Sequence, residues 1–210
     1  MYRMVHAGKC TSWYNALQRE KKDTREELIE RCLAAFVAAG TIDISLDDLA
    51  VHVGISKRML VHYFGGREEI EESAMTVLEE RLQAQFAPET FPAGISPQKV
   101  LAALWERTTA PAARGVLLLV MDLSQRAWNG SARAKAFYDE QQRLWVELLV
   151  QFLPSRPAVE EVLQLFQGAV LAYLITGDPE PGRRSLRRFF AERRVPVGKG
   201  GADKNRRRLD

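Results

Sequence analysis

The feature that most constrains this chain is one glycine, Gly54, set between two short stretches of helical periodicity. Ser45 opens the first stretch. Asp48 follows three residues on, in the place where a capping box usually carries Glu or Gln. Leu46, Leu49, Ala50 and Val53 then form one apolar stripe at helical spacing. Gly54 suits the left-handed conformation that ends a helix. Ile55 is placed to fill the space between two helices, and Ser56 to cap the second. That second helix opens with Lys57 and Arg58 and packs through Leu60 and Phe64. The pattern is a helix-turn-helix. A short, capped, basic helix held against a partner is what the DNA major groove admits.

The rest of the chain also reads as helix. Residues 1–23 are polar and aperiodic, which suggests a flexible arm. Thr24 is placed to cap a helix whose stripe is Leu28, Ile29, Cys32, Leu33, Phe36 and Val37, ending at Gly40. Phe36, Leu49, Leu60 and Phe64 are expected in the core. Gly65-Gly66 breaks the chain, and a helix follows from Arg67 to Phe86, with Glu68, Glu69, Glu71 and Glu72 near the N-terminus that acids favour. Residues 87–97 hold three prolines and form a loop. Ser96-Pro97 starts a helix running to about Thr109. Further helices are expected over Ala112–Trp128, from Ser131 to before Pro154, and from Pro157 to Thr176-Gly177. Gly177–Gly182 reads as a turn, Arg183–Arg194 as a last basic helix, and residues 195–210 as a disordered basic tail. No alternating strand pattern or internal repeat occurs. The fold class is therefore all-α, with about nine helices. The expected domains are the arm (1–23), the helix-turn-helix domain (24–66), a larger helical domain (67–194) and the tail (195–210).

Composition narrows the function classes. Hydrophobic residues make up 46% and charged residues 27%, ordinary for a soluble globular chain. Val116–Met121 is apolar all round, which suggests a helix enclosed by others. It is far shorter than the ~20 residues of a membrane span, and no secretory leader is evident at the N-terminus. Cys10 and Cys32 lie in a polar leader and an apolar helical stripe respectively, so a structural disulfide is not expected and a reducing cytoplasm fits. The net charge of +3 hides an asymmetry. Residues 183–210 carry eleven Lys/Arg and three Asp/Glu, whereas residues 68–182 carry nine and sixteen. The helix-turn-helix itself is only mildly basic, so DNA affinity must come from a few well-placed cations and from doubling by dimerisation. No metalloprotease, nucleophile-elbow, P-loop or dinucleotide motif is present, and the three histidines and two cysteines lack metal-ligand spacing. No enzyme activity, cofactor or metal is expected.

Over Thr24 to Ile70 the chain resembles the tetracycline-repressor (TetR) family of bacterial transcription regulators. The resemblance rests on Ala34-Ala35-Phe36 before Gly40, on Leu49-Ala50 before Val53-Gly54-Ile55-Ser56, and on Leu60–Phe64 before Gly65-Gly66-Arg67-Glu68-Glu69-Ile70. Ile55 stands where the family commonly has Val, Tyr63 where it has His, and Arg67 where it has Lys. Arg58 and Met59 replace the family's small residue and Thr or Ser, and Val61 replaces its Tyr. Residues 71–210 match only in helix count and length.

The residues and the resemblance together propose three sets of sites. For DNA, Lys57 and Arg58 are placed to meet phosphate or a guanine edge, Met59 a base edge, and His62 the DNA face. Ser45 and Ser56 stand at helix N-termini, which favour anions, and Arg25 stands near the start of helix one. The resemblance adds Tyr63 and Arg67 as phosphate contacts. For a ligand between helices, the candidates are Trp105, Leu118, Met121, Asp122, Trp128, Phe137, Tyr138, Trp145 and Phe166. For a dimer interface, they are Leu163, Gln167, Val170, Leu171 and Leu174 on the penultimate helix and Leu186, Phe189 and Phe190 on the last. The resemblance implies that these two helices form a four-helix bundle with a partner subunit. It further implies a homodimer on a palindromic double-stranded operator, repression relieved by a small-molecule effector, a bacterial cytoplasmic location and no membrane partner. The alternatives are a helical DNA-binding regulator without an effector, as activator or under a protein partner, and a helical enzyme that lost DNA binding.

Overall fold

The computed structural model describes residues 24–192, which are helical with no strand among them. The expected arm, the basic tail, Cys10, Arg193 and Arg194 lie outside the described residues. Nine helices occur among the described residues: α1 (24–39), α2 (Leu46–Val53), α3 (Lys57–Phe64), α4 (Arg67–Phe86), α5 (Pro97–Thr109), α6 (Arg114–Trp128), α7 (Ala132–Leu149), α8 (Arg156–Thr176) and α9 (Glu180–Glu192). Short 3-10 turns at Pro88–Thr90 and Pro111–Ala113 lead toward α5 and α6. Thr24 lies inside α1 rather than capping it.

Two compact units meet in the sequence at Glu80–Arg81, inside α4. The Gly65-Gly66 break suggests an earlier boundary. The reason for the later one is that the start of α4 is tied to the first unit. Arg67 donates through Nη2 to the Ile42 carbonyl and the Asp43 carboxylate, and through Nε to Glu71. Ile70, Ala74 and Leu78 are buried.

In the first unit nearly every predicted stripe residue is inside. Leu28, Ile29, Cys32, Leu33 and Phe36 of α1 are buried, as are Leu49, Ala50 and Val53 of α2 and Leu60 and Phe64 of α3. Each large side chain so buried stabilises the unit by about 1.5–3 kcal/mol. Gly54 ends α2 at φ +77°. The Ile55 N–H bonds back to the Ala50 carbonyl and the Gly54 N–H to Val51, which satisfies the last carbonyls of α2.

The second unit has its own core. α8 contributes Val159, Val162, Phe166, Val170 and Tyr173, α5 contributes Val100, Leu101, Leu104 and Trp105, and α7 contributes Leu148 and Leu149. Leu186, Phe189 and Phe190 of α9 complete it. By length and composition α8 could cross a membrane. Here it packs against α5, α7 and α9. The periodicity places a turn over Gly177–Gly182, but α9 already starts at Glu180. Pro181 falls in the first turn, where a missing N–H costs nothing. Gly182 lets the helix pass the Trp105 ring, since a Cβ there would lie 2.4 Å from its carbons.

α6 departs most from expectation. Val116–Met121 is not enclosed on all sides. Only Leu119 of that run is buried, and Leu118 is exposed.

Candidate functional site

The first candidate site is the outer face of α3. Ser56 caps the helix, its Oγ accepting from the Met59 N–H at 3.3 Å. Ser45 caps α2 in the same way, accepting from the Asp48 N–H at 3.1 Å. Asp48 is too short to complete the box on the Ser45 backbone. It takes the Ser45 hydroxyl instead, at 2.6 Å. With Leu60 and Phe64 turned inward, Lys57, Arg58, Met59, Val61 and His62 are left facing solvent. Tyr63 is half-buried, with the His62 ring at its edge.

The cations of this unit are not equivalent. Lys57 Nζ is paired with Asp47 of α2 at 2.9 Å. Arg25 lies over the Phe64 ring, 5.0 Å from its centre, and donates to Ser73 Oγ. It therefore clamps α3 and α4, which the sequence does not reveal. Arg67, expected on phosphate, has its guanidinium occupied by Ile42, Asp43 and Glu71. Arg58 is exposed on the first turn of α3. His52 is exposed too, its Nδ1 2.8 Å from the Asp48 carbonyl. Cys32 is buried, and that burial pushes its thiol up to about 11, so it stays protonated and inert.

The second candidate site is a cavity of about 1120 Å³ within the second unit. Val116, Leu117, Val120 and Met121 of α6 form one wall, and Phe137, Tyr138 and Trp145 of α7 another. Phe166 and Leu163 of α8 lie between them and the core. Thus the apolar surplus of α6 lines a hollow. The Phe86 and Trp145 rings meet at a tilt of 43° with centres 5.0 Å apart, and Trp145 meets Phe166 at 5.8 Å.

Of the expected ligand residues, the cavity gathers Met121, Phe137, Tyr138, Trp145 and Phe166. Four fall elsewhere. Trp105 is fully buried, its indole N–H donating to the Pro179 carbonyl and its ring edge-on to Phe166 and Tyr173. It is core because α5 is covered by α8 and α9. Asp122 bonds Arg126 at 2.9 Å, one turn along the same helix. Leu118 and Trp128 point to solvent, Trp128 being 90% exposed at the end of α6.

Among the cavity residues that the sequence reading did not propose for a ligand are Thr108 of α5 and Gln141 of α7. Both stand on the wall, and Thr108 Oγ1 and Gln141 Nε2 are buried without a hydrogen-bond partner. The signal was present: Gln141 lies four residues from both Phe137 and Trp145, and is thus a polar residue on an apolar face.

The expected interface residues divide. Leu186, Phe189 and Phe190 are buried in the chain's own core, because α9 packs inward onto α5 and α8. Leu163 and Val170 are likewise buried, and Leu174 is half-buried. Gln167 and Leu171 are exposed at the cavity's rim.

No family model matches the chain. Two regulators from Pseudomonas putida are similar to it in sequence. The HTH-type transcriptional regulator TtgW, itself uncharacterized, is 30% identical over 70 residues, 33% of this chain and 52% of that one. The HTH-type transcriptional regulator SrpR is 29% identical over 70 residues, 33% of each chain. The chain thus spans about half the length of the first relative and a third of the second. Among solved structures, a protein from Rhodococcus sp. described as a TetR-family transcriptional regulator aligns with a TM-score of 0.65 at 17% identity, covering 81% of this chain and 98% of that one. Another so described, from Mesorhizobium loti, aligns at 0.57 and 14% identity over 82% and 97%.

The class these findings define is an all-helical protein with an N-terminal helix-turn-helix. Its fold is that of the TetR-family transcriptional regulators, and the resemblance carried by Thr24–Ile70 stands at the level of the fold. The proteins it matches are named as regulators, not as enzymes.

Proposed function

We propose that the chain is a one-component transcriptional regulator, binding a palindromic operator through α3 as a homodimer and released by a small molecule held in the second unit's cavity. The observation that carries this reading is the division of α3. Leu60 and Phe64 fix one face, which leaves Arg58, Met59 and His62 free to enter a major groove. Arg58 is the leading base or phosphate contact. Lys57 joins it once a phosphate displaces Asp47, since an exposed pair of this kind is worth only about 0–1 kcal/mol. Ser45, Ser56 and Tyr63 lie on the same two helices, and Arg25 and Arg67 support the surface from behind.

A homodimer is supported by α8. Gln164, Gly168, Leu171, Ala172 and Ile175 recur along one exposed face, with Leu171 51% and Ile175 77% exposed. A dimer of this kind reads a palindrome when its two recognition helices stand about 34 Å apart, one turn of duplex. Helix α4 contributes residues to both units and is the element through which a ligand would bias DNA binding. Such a ligand acts only through its differential affinity for the two states. Relief of repression in the bacterial cytoplasm, with the protein on the nucleoid when bound, is the mode that fits.

Selection of bound sequences from a random duplex pool, at physiological salt, tests the reading. Recovery of a palindromic motif is the expected result. No motif from folded, dimeric protein would overturn it.

A further inference from the structure

Resting on the reading of the cavity as the effector site, we infer that the cavity takes an uncharged, mostly aromatic molecule carrying a hydrogen-bond acceptor such as a carbonyl. Gln141 and Thr108 hold that acceptor. Three observations converge. First, the wall is aromatic and aliphatic, from Phe86, Met121, Phe137, Trp145 and Phe166. Flat apolar rings match such a wall by offset or edge contacts.

Second, the charged groups described on the lining are already engaged. Among the described residues, the ionic lining residues are Arg107 and Glu147. The Arg107 guanidinium donates to the Gln85 carbonyl and to Thr90, and lies over the Phe91 ring at 4.7 Å. Glu147 accepts from Arg143 Nη1 at 2.5 Å. Asp122, the nearest acid on α6, is held by Arg126. An ionic ligand entering here would lose its water and find a counter-ion only by drawing Arg107 or Glu147 away from those partners.

Third, Thr108 Oγ1 and Gln141 Nε2 are the buried side-chain polar atoms left without a partner among the described residues, and both belong to this wall. A hydroxyl can donate or accept, and an amide N–H₂ donates twice. Buried donors of this kind are normally satisfied. A rotation of either side chain presents it to the hollow, where a ligand's carbonyl oxygen supplies the missing acceptor. The Ser124 hydroxyl does not compete for it, being already bonded to the Val120 carbonyl.

Three probes sharing one ring system test this: 2-acetylanthracene, 2-ethylanthracene and anthracene-2-carboxylate, each titrated by its fluorescence against the full chain. The ketone should bind about fivefold to tenfold more tightly than the hydrocarbon, the worth of one net hydrogen bond. The carboxylate should bind at least about tenfold more weakly than the ketone, because its desolvation is offset only if Arg107 leaves its present partners. Gln141→Leu and Thr108→Val, which keep side-chain volume, should abolish the ketone's advantage over 2-ethylanthracene. Equal affinities, or preference for the anion, would overturn the inference while leaving the cavity a ligand site. Binding of none of the three would overturn the effector-site reading itself. The wild-type ranking decides the matter even if a variant fails to fold.

Discussion

The outer face of α3 and the wall of the cavity are built from the same materials to opposite ends. In the first unit the apolar stripes of α1, α2 and α3 are almost wholly buried, so the exposed face of α3 rests on a packed backing. In the second unit an equally apolar run, Val116–Met121, faces a hollow of about 1120 Å³ and buries only Leu119. Close packing makes a rigid reader of an external surface. Incomplete packing leaves room for a guest. The same periodicity serves both, and what separates them is whether a neighbouring helix comes close enough to fill the space.

That contrast can be broken by matched truncations. Leu60→Ala should remove about 2–5 kcal/mol of stability by opening a void in a filled core, and DNA binding should go with it. Met121→Ala enlarges a space that is already open, so its cost should be under about 1 kcal/mol, because few packing contacts are lost. Urea unfolding of both variants checks this. Equal costs would mean that the cavity wall is packed in solution.

Two glycines sharpen the picture inside the second unit. Gly182→Ala should cost about 1–3 kcal/mol, because the new Cβ would lie 2.4 Å from the Trp105 ring in a filled region. Gly168→Ala on α8 meets nothing within 4 Å in its own chain, so helix propensity should stabilise the protomer by roughly 0.5–1 kcal/mol, while the new methyl falls on the face proposed for the dimer. Thermal melts at one protein concentration distinguish them.

On the α3 face the expected effect concerns binding rather than stability. Arg58→Ala should lower operator affinity about tenfold and reduce the salt slope by about one unit. Lys57→Ala should do less, because Asp47 already neutralises that charge. Titration of the selected duplex at several salt concentrations provides the comparison. Equal losses would show that the Lys57–Asp47 pair opens freely on DNA.

Much of the fold was legible because its signals are local. Ser45, Gly54, Ser56 and Gly65 punctuate α2 and α3 by cap and backbone chemistry that needs only near neighbours. The inward places of Phe36, Leu49, Leu60 and Phe64 followed from spacing alone. The candidate sites were legible only in part. Met121, Phe137, Tyr138, Trp145 and Phe166 do line one cavity, but Trp105 carried the same aromatic signal and is core. No spacing rule separates the two, since the difference is made by helices far off in the chain. Arg67, which the resemblance sets on phosphate, bonds the Ile42 carbonyl twenty-five residues away, a contact no local pattern reveals. The early start of α9 was hidden by Pro181 and Gly182, residues that ordinarily mark a turn.

By itself, then, the sequence determined the helical class, the helix-turn-helix and its caps, and the inward face of each short helix, because hydrogen bonding within a turn and a 3.6-residue period act over a few residues. Only the tertiary structure decided which apolar residues became core and which became the wall of a hollow, which cations were left unclaimed, and which polar groups were stranded. Those outcomes depend on the distance between helices that the chain brings together from far apart, and on whether a partner atom happens to stand within bonding reach.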